Sequence, residues 1–223
     1  MPPDAPSATR IMLRPIANPF ALGLLGLAAA TTVLSGHELH WIPPRQHMQM
    51  ALIILLTAPA LQLLASVFGF LARDAVAATG MGVLATSWAV IGAVHLASPP
   101  QGRSQALGTF LFVAGAGLVL SAITAAETKG LLALVMAVTA ARFVITGVVE
   151  FVGGTDLEYV SGALGCVLAA VALYGAFAVE LEGLEHRTVL PTFRRGRGRE
   201  ALESDLGGQI RTVAAEPGVR NQL

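Results

Sequence analysis

Charge is scarce in this sequence. Only 13% of its 223 residues are Asp, Glu, Lys or Arg, against 54% apolar. A soluble domain of this length has too much surface to carry that balance. Cysteine is scarcer still: Cys166 stands alone, which excludes an internal disulfide and a cysteine metal site. The glycines form no phosphate-binding loop, no barrel-like alternation of apolar and polar residues runs along the chain, and no catalytic constellation is present. These absences favour a conduit or carrier in a membrane over an enzyme.

What is present is long apolar stretches. Crossing a ~30 Å hydrocarbon layer takes about 20 helical residues, and a helix satisfies its own backbone hydrogen bonds in lipid. Six segments qualify, at about Phe20–Gly36, Met48–Phe70, Val76–Ala97, Gln105–Ala126, Gly130–Phe151 and Leu157–Glu180. The expected fold class is all-α, a polytopic membrane protein with a six-helix bundle over residues 18–186. A short N-terminal tail (1–17) and a basic C-terminal tail (187–223) flank it. Arg14, the apolar run and Ala28-Ala29-Ala30 imitate a secretory signal, but the apolar run continues past the alanines, so an uncleaved first span is expected.

The formal net charge of zero hides an asymmetry. Arg10, Arg14, Arg73, Lys129, Arg187, Arg194, Arg195, Arg197 and Arg199 fall on one side of the predicted bundle, and only Arg45 and Arg103 on the other. Positive residues collect on the cytoplasmic side, which places both termini inside a plasma-membrane protein. The run R194-R-G-R-G-R-E200 lacks aromatic residues, so anionic lipid headgroups suit it better than nucleic acid. The polar tail around it is expected to be mobile.

Within spans, small residues let helices approach and polar residues mark packed or wet interior. Gly23, Gly26 and Ala30 line one side of the first span, Gly108 and Gly115 the fourth, and Ser161, Gly165 and Ala169 the sixth. Span five carries Thr139, Arg142, Thr146 and Glu150 on one face. An arginine at mid-span costs about 2.5–3.5 kcal/mol on insertion scales. Glu150 lies roughly 12 Å further along the axis, too far to pair with it. A carboxylate from another helix, carbonyls, water or an anionic solute would have to serve the guanidinium; a structural ion pair and a solute-binding role both fit. Pro59 interrupts span two, with Gln62 and Ser66 after it, and span three places Thr79 and Thr86 on one side. The stripes together outline a narrow, mildly polar path.

H37-E-L-H40, with His47 nearby, imitates a metal site but has no third ligand at motif spacing, so these read as solvent-exposed loop histidines. His37 and His95 near helix ends leave haem as a remote alternative. No cofactor and no metal are expected.

The residues also carry a family resemblance. N18-P-F-A-L-G-L24 resembles the opening N-P-A-P-L-G-L of the acetate uptake transporter family, the YaaH-type carriers of small carboxylates. His37 falls where that family places a histidine, and Gln62 matches a glutamine of its second helix. R73-D-A-V-A-A-T-G-M-G-V-L-A-T-S-W88 is similar to its G-N-T-F-G-x-T-A-F-x-S-Y-G-x-F-W, sharing Thr79 and Trp88. A172-L-Y-G-A through R187-T-V-L-P191 resembles its A-x-Y-x-A followed by G-R-T-V-L-P.

The resemblance implies a six-helix protomer, a homo-hexamer, a separate solute path in each protomer, and transport of acetate or succinate by proton symport or as an anion channel. It also implies that Asn18 binds a carboxylate near the cytoplasmic mouth, with a plain helix cap as the alternative, and that His37 serves the outer mouth. Leu27 and Leu84 take the place of aromatics in the family's constriction, with Thr139 near its leucine. Arg142 stands where an apolar residue is expected, so the path should be more polar and anion-attracting, and a larger or doubly charged carboxylate suits it as well as acetate. Asp74 and Gly69 also depart from the pattern. The expected site is Arg142 as central anion contact, Asn18, Gln62, Thr79 and Thr139 as hydrogen-bonding groups, Leu27 and Leu84 as constriction, and His37 or Glu150 as proton carrier. The rival reading is a non-transporting membrane scaffold or signalling protein of the same fold.

Overall fold

The spans start and stop where the local chemistry dictates. In a computed structural model describing residues 16–100, 102–185, 187–196 and 199, the elements are α1 (Phe20–Glu38), a 3-10 turn (Pro44–Gln46), α2 (His47–Leu71), α3 (Ala75–Ala97), α4 (Gln105–Ala126), α5 (Gly130–Val152) and α6 (Thr155–Glu185). All six α-helices are long and apolar enough to cross a membrane. The chain is a multi-pass helical membrane protein. The expected mobile stretch beyond 199 and most of the N-terminal tail lie outside the described residues.

Side chains supply the orphan donors at helix N-termini with acceptors. Asn18 Oδ1 accepts from the Phe20 N–H at 3.1 Å, Asp74 caps α3 through the Ala77 N–H, and Ser104 Oγ accepts from the Leu107 N–H at 3.2 Å to start α4. The turn between α5 and α6 needs left-handed backbone, and Gly153 (φ 70°) and Gly154 (φ 115°) provide it.

Each helix packs against its chain neighbours, and α6 returns to α1, so the six spans close into a ring. The small residues stand at the crossings. A methyl at Gly23 would lie 2.9 Å from Ala65 Cβ on α2, one at Gly108 would lie 2.9 Å from the Gly147 carbonyl on α5, and Ser161 and Gly165 of α6 are buried. At Gly92 of α3 the close neighbour is backbone: a Cβ there would sit 2.8 Å from the Leu55 nitrogen. Backbone cannot rotate aside as a side chain can. Gly92→Ala is therefore expected to lower stability by about 1–3 kcal/mol, the usual penalty of overpacking, read as a lowered midpoint of thermal unfolding in detergent.

The centre of the ring is filled by α1, α3 and α5: Leu27, Leu84, Trp88, Arg142 and Phe143 are all essentially inaccessible. Trp88 and Phe143 meet edge to face at 6.1 Å, a favourable arrangement for two ring quadrupoles.

The largest departure from the sequence reading is at the end of α6, expected near Glu180 but running to Glu185. Its polar last turns are held by the chain that follows. Buried Glu182 takes a hydrogen bond from Thr192 Oγ1 at 2.7 Å and an ion pair from Arg194 at 2.7 Å. Backbone bonds tie the same strap to the start of α5, from Gly130 N to Phe193 O and from Arg195 N to Thr128 O. The tail expected to begin at 187 thus opens with an ordered strap, because Glu182 offers it a buried carboxylate.

Candidate functional site

Two cavities, each with charged side chains among its wall residues, lie at opposite ends of the ring. At the end shared by both termini, one is walled by Asn18, Phe20, Asp74, Lys129, Thr192 and Arg194. Lys129 Nζ pairs with Asp74 Oδ2 and sits 5.8 Å from the centre of the Phe20 ring. At the far end the other is walled by His37, Glu38, His47, His95, Arg103 and Glu150, among others. Its volume is about 80 Å³, several times the roughly 10–15 Å³ that one water requires.

Three parallel helices connect the cavities. Leu24, Met81 and Val135 line the termini-end cavity, and Leu34, His95 and Thr146 the far one. Between them along the same helices stand Leu27 and Thr31 on α1, Leu84 and Trp88 on α3, and Thr139 and Arg142 on α5, all buried. At the helical rise this closed section is about 15 Å long.

Arg142 is the only cation in that section among the described residues, and it is 1% exposed. Of the two roles left open for it, the structure supplies the partner for the first. Its Nη2 donates to Glu38 Oε2 at 2.8 Å, and its Nη1 to the Thr31 carbonyl at 3.3 Å. Ser161 Oγ donates to Glu38 Oε1 at 2.8 Å and lies 2.8 Å from Thr146 Oγ1. Helices α1, α5 and α6 are thereby joined around one ion pair. Glu38 is the last residue of α1, where the helix dipole disfavours an anion, so the guanidinium also relieves that cost. Glycine at 165 makes room: a methyl there would lie 2.5 Å from Arg142 Cζ and collide with Ser35 Oγ.

Glu38 escapes the sequence reading because H37-E-L-H40 looks like a loop. The helix instead extends two residues past Gly36 and ends at Glu38, which continues the buried series Leu27, Thr31, Leu34 at helical spacing. That series is the signal the sequence offers.

The histidines depart from expectation for the same reason. His37 and His47 have ring centroids 5.3 Å apart, His47 and His95 5.4 Å, and His37 and His95 6.0 Å. His47 Nε2 is 2.8 Å from the His95 carbonyl oxygen. Among the described histidines only His40 is an exposed turn residue, 3.7 Å from Glu158. Among the described residues no group of three or more His, Cys, Asp or Glu is arranged to hold a metal ion.

The remaining predicted residues separate. Gln62 and Thr139 are buried, but Gln62 Nε2 reaches only the Gly23 carbonyl at 3.5 Å, and Thr139 Oγ1 donates to the Val135 carbonyl. Glu150 lines the far cavity and accepts from the Ser104 N–H at 2.6 Å. Thr79 and Thr86 do share a face of α3, but that face is exposed on the outside of the ring, because Gly80, Met81 and Leu84 take the inner one. Thr79 is therefore placed off the path.

Six apolar spans closed into a ring, with a cavity at each end and a buried ion pair between, have the architecture of a membrane channel or transporter. Residues 4–194 match the GPR1/FUN34/yaaH family, and the chain belongs to that family. The structure of the bacterial acetate channel SatP has the same fold, with a TM-score of 0.71 at 20% identity over 80% of this chain and 99% of that one. No curated protein sequence matches the chain.

Proposed function

We propose that this protein moves small carboxylate anions, of the acetate or succinate kind, across the plasma membrane through each six-helix protomer. The observation that carries this reading is the buried guanidinium of Arg142, set on the line between the two end cavities. Membership of a family whose fold is shared with an acetate channel supports it. Transport, and not catalysis, is the activity that this arrangement serves.

In this reading the termini-end cavity faces the cytoplasm, in keeping with the basic residues at that end. Asn18 and Lys129 meet the anion there, and Leu27, Leu84 and Thr139 form the narrow section it must cross. His37 and Glu150 line the far cavity and are the groups through which a coupling proton would pass. Assembly into a hexamer is part of the proposal. An alanine-rich groove between α4 and α5, with Ala122, Ala126, Ala133, Ala137 and Ala141 on its walls, lets a neighbouring helix come close.

Reconstitution into vesicles tests the function, with labelled acetate and succinate offered at two pH values and protein-free vesicles as the blank. The constriction has its own test. Leu84→Ala removes a fully buried side chain and is expected to cost about 2–5 kcal/mol of stability, while raising acetate flux above that of the unaltered protein. Unchanged flux in a folded variant would place the narrow point elsewhere.

A further inference from the structure

We infer that Glu38 is an internal ligand: its carboxylate occupies the anion site of Arg142, and an external carboxylate enters by taking its place. This deepens the transport reading and rests on it for its physiological meaning, but the exchange itself is testable without transport.

A guanidinium buried in the middle of a span cannot be left without a partner, because removing one member of a buried pair strands the other. An anion crossing this section therefore cannot take the Nη2 edge of Arg142 while Glu38 holds it, nor can Glu38 simply depart. Substitution of one carboxylate for another keeps the guanidinium paired throughout, and it is the route that avoids stranding the charge.

The geometry provides for such a substitution. Glu38 lines the far cavity while its Oε2 reaches inward to Arg142, so its carboxylate stands between the cavity and the buried cation. Ser161 Oγ holds its other oxygen at 2.8 Å and is itself within 2.8 Å of Thr146, which also lines that cavity. Glu38 thus has polar company on the cavity side when it releases Arg142.

Polar atoms around the cation remain for an incoming ligand. Arg142 Nε, Ser35 Oγ, Thr31 Oγ1 and Trp88 Nε1 are buried with no hydrogen-bond partner among the described residues. Ser35 Oγ and the guanidinium crowd the same point beside Gly165, and Trp88 has its ring centre 6.0 Å from Arg142 Cζ. Arg142 Nη2 is held by Glu38, whereas Nε is not, so a second carboxylate can approach before the first has left. The chemical class this selects is a compact anion with two oxygens in one plane, matching the fork of the guanidinium.

Neutralising Glu38 at constant shape should make the site dependent on added carboxylate. Purified Glu38→Gln in detergent, in carboxylate-free buffer, is expected to unfold at a lower temperature than the unaltered protein. Sodium acetate should restore it and acetamide, the neutral isostere, should not. Its apparent affinity for acetate should be about ten- to a hundredfold tighter than that of the unaltered protein, the worth of a charged hydrogen bond no longer contested. Glu38→Gln combined with Arg142→Gln should lose the acetate response. The chain has two tryptophans, so in a Trp41→Phe background the fluorescence of Trp88 reports occupancy directly. If Glu38→Gln yields no folded protein, Glu38→Asp is measured instead, with tightening in the same direction expected.

Equal acetate affinity in Glu38→Gln and the unaltered protein would overturn the inference, as would an undiminished response in the doubly neutral variant. Flux without tightening removes the internal ligand and leaves transport standing. Tightening without flux in the unaltered protein supports the exchange site and removes transport.

Discussion

Replacing Glu38 by leucine is expected to destabilise the protein by about 3–5 kcal/mol, the usual consequence of stranding one member of a buried ion pair. Arg142→Met should cost a comparable amount, because the carboxylate of Glu38, 8% exposed, would then be left with Ser161 alone. The combined variant, Glu38→Leu with Arg142→Met, should be more stable than either single one. Two apolar side chains suit the ring interior, and Ser161 and Thr146 keep each other as partners at 2.8 Å. Unfolding midpoints of the four proteins in mixed micelles give the coupling energy. Additive losses would mean that the two groups do not act as a pair, despite their 2.8 Å contact.

The second large effect concerns flux. Glu38→Gln with Arg142→Gln removes both charges and keeps hydrogen-bonding ends on both side chains. An anion in the closed section would then lose its charged donor, worth about 1.5–3 kcal/mol. Acetate flux should fall by about ten- to a hundredfold while the unfolding midpoint moves little. Loss of flux with loss of fold is separated from this outcome by measuring both on the same preparation.

Much of the fold is legible in the sequence because lipid imposes it. Segments such as Gln105–Ala126 have one solution in a bilayer, and this one begins and ends where the residues indicate. Glycine and alanine stripes mark crossings for the same reason. The end of α6 is not legible, because Glu182 and Glu185 look like loop residues until Thr192 and Arg194 are seen to bind the first of them. Such pairing is tertiary and leaves no local mark.

The site is half legible. Arg142 announces itself, since a cation within an apolar span demands a partner, but the choice among carboxylates depends on where α1 stops. A helix ending at Gly36 leaves Glu38 in a loop; two more residues of helix turn it inward. The meeting of His37, His47 and His95 is hidden differently, because three helix ends converge there and no spacing within one helix encodes it. Thr79 shows the converse: its spacing from Thr86 does put both on one face, but nothing local says which face of α3 points at the ring centre.

The central claim is that a small carboxylate crosses the membrane past Arg142. One measurement addresses it most directly: uptake of labelled acetate into vesicles holding the purified unaltered protein, compared with vesicles holding the doubly neutral variant E38Q/R142Q. The account predicts saturable uptake by the first, suppressed by excess unlabelled acetate but not by acetamide, and little uptake by the second. Uptake equal in the two, or no faster than in vesicles without protein, would contradict it.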